Sequence, residues 1–162
     1  YELSRYEGTP PVTAAGTADE VVPFSKVDFL AAVQLDARAF GAERESVLRS
    51  LCGRNPELCC GITDSLGVAG FLIAREGAGA VQIGPWIARD ANVAARLLQA
   101  FLAKVGGRRV FVDVVEPNAP ANAMITKHGF TVQRTLTRMF LGENAHPGDT
   151  RLVFGISSPE KG

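Results

Sequence analysis

The sequence has little cysteine, and what it has is poorly placed for metal. Cys52, Cys59 and Cys60 lack the paired spacing a zinc site uses, so no metal site is expected. Cys59 and Cys60 are adjacent in an apolar run and would face opposite sides of a strand; they read as small buried thiols of a reducing compartment. Net charge is also missing: 17 Lys and Arg stand against 17 Asp and Glu. Nucleic acid and anionic membranes favour a basic surface, so neither is the expected main partner. No apolar run reaches the roughly 18 residues of a transmembrane helix, and no signal-peptide pattern is visible, so a cytoplasmic protein is expected. No Gly-x-Gly-x-x-Gly follows a strand, which argues against a dinucleotide-binding fold. Internal repeats and low-complexity segments are absent.

What remains is an ordinary globular composition, 46% hydrophobic and 21% charged over 162 residues. That length suits one domain, able to bury roughly 70% of the surface of its unfolded chain without a disulfide or metal staple. Residues 1–20 carry Gly8, Pro10, Pro11 and Gly16 and read as an extended arm or linker outside the core. VVPF at 21–24 is a short strand, at a sheet edge because of Pro23. Ser25 is the expected cap of a helix running to Phe40, with Val27, Leu30, Ala31, Leu35 and Ala39 on one face. A second helix is expected over 43–54. The period then shortens: 58–63 and 68–76 form a hairpin around DSLG, and 77–88 form a third strand after a glycine turn. From Val93 the apolar positions 93, 97, 98, 101, 102 and 105 make a helical stripe, ended by Gly106-Gly107. A β-branched strand at 108–116, a short helix at 118–130, and strands at 130–141 and 151–157 complete the chain. The expected fold is α/β of the α+β kind, a mixed sheet flanked by helices.

Residues 84–101, GPWIARDANVAARLLQAF, contain the first chemical signal. Pro85 has no N–H, so the sheet ladder must break there, and Gly84 permits a bulge that frees main-chain groups for a ligand. A helix then starts within Arg89–Ala95. Its first-turn N–H groups lack internal partners and carry partial positive charge, which suits a pyrophosphate. Ala91, Ala94 and Ala95 are small enough for phosphate oxygens to approach. Arg89, Arg96, Lys104, Arg108 and Arg109 stand against Asp90 alone, so the stretch reads as locally basic. A strand turning into a helix with solvated arginines would look the same. One strand later, Asn118 lies where 108–116 passes into the next helix, and Asn122 follows one turn on. Both helices start at the same end of the sheet, and a ligand could lie between them.

These two motifs resemble the GNAT superfamily of acyl-CoA-dependent N-acyltransferases. Its pyrophosphate loop, Gln/Arg-x-x-Gly-x-Gly/Ala ahead of a Leu-Leu helix, is matched in register by Arg89-Asp-Ala-Asn92-Val-Ala94 and Leu97-Leu98. Its later helix, Asn-x-x-Ala-x-x-Leu-Tyr-x-x-x-Gly-Phe, is matched by Asn118, Ala121, Met124, Ile125, Gly129 and Phe130. The resemblance covers about 20 to 157. It implies a GNAT-like, mostly antiparallel central sheet over 21–157 with a tail at 158–162, and acetyl-CoA as co-substrate. It implies CoA contacts from Trp86, Ile87, Arg89, Asn92, Val93, Ala94, Ala95, Asn118 and Asn122. IGPW and the later Arg138-Met139 look more narrowly like the C-terminal domain of tandem GNAT proteins, which implies a second GNAT-like domain or a homodimer as partner, with RYEGTPP as linker.

Two departures mark this sequence. Asn92 replaces the first loop glycine, and asparagine tolerates positive φ better than other side chains. Ile125 replaces a tyrosine that protonates the departing thiolate in many members, so another group would have to supply that proton. The resemblance implies attack of an amine on the thioester. A main-chain N–H near Ile83–Trp86 would hold the oxyanion, and Asp113 or Glu116 would be the base. Asp113 shares a strand face with Phe111 and Val115, and pairing with an arginine such as Arg134 or Arg138 is its alternative role. Glu116 has the alternative of a solvated loop acid. Trp86 reads as core or as a wall of the acyl pocket, and His128 as a cation at a helix end. Rival readings are a degenerate half that scaffolds a catalytic partner, and an anion sensor using the same cradle.

Overall fold

The computed structural model describes residues 1–12, 20–139 and 142–158. Its strands are β1 (Glu2–Gly8), β2 (Val21–Pro23), β3 (Cys60–Asp64), β4 (Gly67–Glu76), β5 (Val81–Ala88), β6 (Val110–Val115), β7 (Thr131–Thr137) and β8 (Val153–Gly155). They form one sheet in the order β2-β3-β4-β5-β6-β1-β7, and β8 pairs with β5 off this path. The β5–β6 pair is parallel; every other described pair is antiparallel. Helices α1 (Phe29–Phe40) and α2 (Glu45–Cys52) lie on one face, α3 (Ala91–Val105) and α4 (Ala119–Lys127) on the other. This is the mixed, mostly antiparallel sheet flanked by helices that the sequence implies.

Local chemistry sets the helix ends. The Asp28 carboxylate accepts from the amides of Leu30 and Ala31 and caps α1, a contact worth about 1 kcal/mol. Ser25, the expected cap, lies instead in a 3-10 turn over Phe24–Lys26. The later start rotates the buried face to Ala32, Val33, Leu35, Asp36 and Ala39, and leaves Leu30 exposed. Gly41 ends α1 at φ 96°, which glycine adopts without strain. The stripe expected on α3 is buried as read, from Val93 through Leu97, Leu98 and Phe101 to Val105. Pro23 lies on an edge strand, where its missing N–H breaks no inner ladder.

The N-terminal segment corrects the sequence reading. Glu2–Gly8 is no arm: β1 runs between β6 and β7, with Leu3, Ser4 and Tyr6 buried. The glycines and prolines that argued for a linker begin only at Gly8, the last residue of the strand. Gly16 lies outside the described residues, as do Phe140 and Leu141 of the expected 130–141 strand. Of the expected tail only Ser158 is described, and it is 2% exposed.

Strand parity places the two cores. On β4, Phe71 and Ile73 point to the α1/α2 side, while Leu72 and Ala74 point to the α3/α4 side. On β6, Val110, Val112 and Val114 face α3 and α4, and Val115 faces the other way. β5 breaks this rule. Val81 and Ile83 share a core with Trp86 and Ala88, so the alternation skips a step at Gly84-Pro85. Register agrees: Ala74 pairs with Ile83 but Leu72 pairs with Trp86, which leaves one extra residue on β5. That is the bulge expected from the sequence.

Candidate functional site

The bulge opens the sheet. β5 and β6 pair through Val81–Val110, Gln82–Phe111 and Ile83–Val112 and then separate. Arg75 Nη1 donates to the Gly84 carbonyl at 3.1 Å, which fixes the bulge from β4. The opening is filled by the chain itself. Gly155 pairs with Trp86 and Val153 with Ile87, and the Ile156 amide donates to the Asp113 carbonyl of β6 at 2.9 Å. Trp86 is fully buried, its ring 5.4 Å from that of Phe154. Its Nε1 has no hydrogen-bond partner among the described residues. Ile87 is buried on the opposite face, in the α1/α2 core.

At the end of the same strand, only Arg89 and Asp90 separate β5 from α3. The expected loop is therefore shorter than the motif suggests. Asn92 is already helical, and among the described residues no non-glycine has positive φ, so it does not stand in for a left-handed glycine. The Asp90 carboxylate accepts from the Val93 amide at 2.9 Å, a first-turn donor that a phosphate would also use. Arg89 and Asn92 are exposed, Ala95 is half-buried, and Val93 and Ala94 are buried.

The local basic charge is compensated by other elements. Arg89 pairs with Asp64 at 2.6 Å, Arg96 with Glu20, Arg108 with Glu76, and Arg109 with Glu7 at 2.6 Å. The hydrogen bond from Arg89 holds the Asp64 carboxyl below the usual carboxylate range, and the same contact raises the guanidinium. A count along 88–110 sees five cations and one anion; the folded surface is close to balanced.

Asp113 is 0% exposed on the α1/α2 side of β6. Arg5 of β1 donates to both its oxygens, Nε to Oδ1 at 2.7 Å and Nη2 to Oδ2 at 2.8 Å, and Gln82 Nε2 reaches Oδ2 at 3.2 Å. Its partner is thus neither Arg134 nor Arg138, and both oxygens are engaged. Glu116 is exposed at the end of β6 and accepts from Ser4 Oγ at 2.6 Å. Glu116 lies one residue past the strand, so its side chain is set by the turn and by Ser4 and not by strand alternation.

The asparagines of the second motif serve the fold. Asn118 is 2% exposed; its Oδ1 caps α4 through the Ala121 amide, and its Nδ2 donates to the Val153 carbonyl at 2.9 Å. Asn122 Nδ2 donates to the carbonyls of Asn118 at 3.1 Å and Val115 at 3.3 Å, while its Oδ1 accepts from the Tyr6 hydroxyl at 3.0 Å. Ile125 is fully buried in the α3/α4 core. The C-cap residue His128 sets Nδ1 2.8 Å from the Met124 carbonyl. Tyr6 is the hydroxyl that sequence reading missed. It reaches α4 from β1, and burial pushes its pKa up, so it stays protonated at neutral pH. The signal was the alternation of Leu3 and Arg5 with Ser4 and Tyr6.

The structure therefore brings Trp86, Arg89 and Asn92 to one end of β5 and α3, with Glu116 and Asn118 at the matching end of β6. A separate cavity of about 340 Å³, lined by Phe24, Val27, Phe29, Arg49, Cys52 and Cys59 among others, takes no lining residue from β5, α3 or α4.

The chain matches the family model described as acetyltransferase (GNAT) domain over residues 32–155. No curated protein matches it. A candidate acetyltransferase from Pyrococcus horikoshii superposes with a TM-score of 0.78 at 23% identity, covering 100% of this chain and 52% of its own length. A GCN5-related N-acetyltransferase from Sphaerobacter thermophilus superposes with a TM-score of 0.64 at 21% identity, over 83% of this chain and 49% of the other. The chain thus spans about half the length of these two structures, and likeness at such identities speaks for the fold alone.

Proposed function

Since the chain belongs to the GNAT acetyltransferase family, we propose that it binds an acyl-CoA, with acetyl-CoA the donor, between the β5 bulge and the start of α3, and passes the acyl group to an amine. The observation that carries this reading is the bulge at Gly84-Pro85, which parts β5 from its parallel neighbour β6 directly ahead of a 15-residue helix. Two features fit the ligand. Ala91 and Asn92 are exposed first-turn residues whose amides have no helical partner, which suits a diphosphate. The buried indole N–H of Trp86 lacks an acceptor among the described residues, which the arm of the ligand, with its two amide carbonyls, can supply. Bound acetyl-CoA supplies a thioester carbonyl open to attack.

The remaining work falls to the chain. Arg89 and Asn92 would hold the diphosphate, and Trp86 would wall the acyl end. Glu116 is the better base of the two carboxylates, because it is exposed and hydrogen-bonded through one hydroxyl, whereas Asp113 is gripped by Arg5. The Tyr6 hydroxyl is the one tyrosine oxygen that reaches α4, and it would be the proton source that Ile125 is not.

A second reading has its own support. Asn118 and Asn122 are consumed in internal hydrogen bonds, Ile125 is core, and β8 fills the opening. These features favour a half that scaffolds a catalytic partner. Calorimetric titration with acetyl-CoA, followed by an amine screen on wild type and Glu116→Gln, separates the two. The first reading expects micromolar binding and turnover, reduced on the order of a hundredfold or more in Glu116→Gln. Binding without turnover for any amine sinks it and leaves the scaffold.

A further inference from the structure

We propose that β8 is a displaceable plug. Val153–Ser158 fills the opening between β5 and β6 that the arm of an acyl-CoA would enter, and the arm binds there only when the segment leaves. This rests on the acyl-CoA reading above.

Three features support it. The opening exists because a bulge uncouples β5 from β6, and main-chain groups so exposed inside a sheet demand partners. β8 supplies them with little strand: three residues, two of them paired to β5, and one amide bond to β6. An extended arm with two amides offers donors and acceptors of the same kind, and arm and strand cannot share one seat.

The seat also fits the strand imperfectly. With β8 in place, Trp86 Nε1 and Ser158 Oγ are buried without partners among the described residues. Ser157 and Ser158 are polar residues at 0% and 2% exposure. Val153, Phe154 and Ile156 pack into the two cores, and Ser157 is bonded by Arg44, so the misfit is confined to the Trp86 indole and the Ser158 end.

Finally, the segment is held by side chains outside the opening. Asn118 Nδ2 bonds the Val153 carbonyl at 2.9 Å, and Arg44 Nη1 donates to Ser157 Oγ at 3.0 Å. Arg44 is in turn locked to the buried Asp36 at 2.6 Å. One hold comes from the start of α4 and the other from the α1–α2 connection, so the helices on both faces of the sheet bear on whether the opening is free. Gly84 permits the close approach: a Cβ there would collide with the Ile156 carbonyl.

The test is amide hydrogen exchange on the 162-residue chain, alone, with acetyl-CoA, and with adenosine 3′,5′-bisphosphate, which carries no arm. Acetyl-CoA is expected to speed exchange at Val153–Ser158 by about tenfold or more, and the bisphosphate to leave it unchanged. The companion variant is Gly155→Val. A Cβ at Gly155 would lie 3.1 Å from Val112 Cγ2 and 3.4 Å from Trp86 Cβ, so the larger side chain expels the strand. Releasing the plug should tighten acetyl-CoA binding by about fivefold or more, because the competent fraction rises. Ser157→Ala, which removes the Arg44 hold, should act in the same direction and serves if Gly155→Val does not fold. Acetyl-CoA binding with unchanged or slower exchange at Val153–Ser158 overturns the plug and leaves the acyl-CoA reading standing. Binding by a variant but not by wild type supports the plug. No binding by wild type or by any folded variant at millimolar ligand removes both.

Discussion

Arg5 and Asp113, 108 residues apart in sequence, form a two-bond ion pair across the β1–β6 ladder. Arg5 also lies over the Phe111 ring, 5.5 Å from its centroid. A carboxylate at 0% exposure is tolerated because both oxygens are hydrogen-bonded to a cation. The pair therefore pins β1 into the sheet. Asp113→Asn is expected to lower stability by about 3 kcal/mol, since it leaves Arg5 half-satisfied at a mostly buried site. A double-mutant cycle with Arg5→Gln should show coupling between the two. Urea denaturation checks this; unchanged stability together with lost turnover would instead make Asp113 the base.

If α3 cradles the diphosphate as proposed, its limit is set by anions and not by a missing glycine. Asp64 holds Arg89, and Asp90 occupies the Val93 amide. Asp64→Asn should free Arg89 and tighten acetyl-CoA binding by about two- to fivefold at low salt, with the gain shrinking as salt screens the exposed charges. Asn92→Gly should bring no gain. Asn92 is helical, so glycine there only weakens the first turn of α3, by about 0.5 kcal/mol or less. Paired titrations decide this, and tighter binding in Asn92→Gly would show that the bound loop unwinds.

The thiols predict an alkaline limb. Burial pushes Cys52 and Cys60 from 9.0 up to about 12. The folded chain then keeps protons that the unfolded chain releases. The resulting stability is complete below pH 9.0 and drains away as pH climbs toward about 12. Each thiol contributes a slope of up to about 1.4 kcal/mol per pH unit in that window. Urea midpoints measured from neutral to strongly alkaline pH should fall less steeply in Cys60→Ala than in wild type, even though the variant is less stable overall. Parallel curves would place the alkaline loss elsewhere. Neither thiol should react with iodoacetamide at neutral pH unless the chain unfolds.

Much of the site was legible because its determinants are local. Pro85 removes a ladder donor wherever it lies in a strand, so the bulge at Gly84-Pro85 could be read directly. The α3 stripe and the Asn118 cap follow from periodicity and from one side chain meeting its own helix. The failures share the opposite property. Asp28 outcompeted Ser25 because a cap is chosen by where the helix face must meet β4, and α1 buries Ala32, Leu35 and Asp36 there. Arginines counted along 88–110 looked unpaired because Glu7, Glu20, Asp64 and Glu76 come from other elements. Asn118 looked available to a ligand because the carbonyls that take its Nδ2 come from residues 150–153, and Asn122 because the hydroxyl on its Oδ1 is Tyr6 of β1.

From Val21 onward, the sequence by itself determined the main elements, their order and the broken ladder in β5, because hydrophobic period, capping and proline act over a few residues. Only the tertiary structure decided that Glu2–Gly8 is an inner strand, that Arg5 claims Asp113, and that Val153–Ser158 fills the opening beside Trp86. Each of these is a pairing of main-chain or charged groups far apart in the chain. Such groups are the same in every residue or widely repeated, so nothing in the local sequence names the partner; the closing of the sheet and the burial of unpaired groups do.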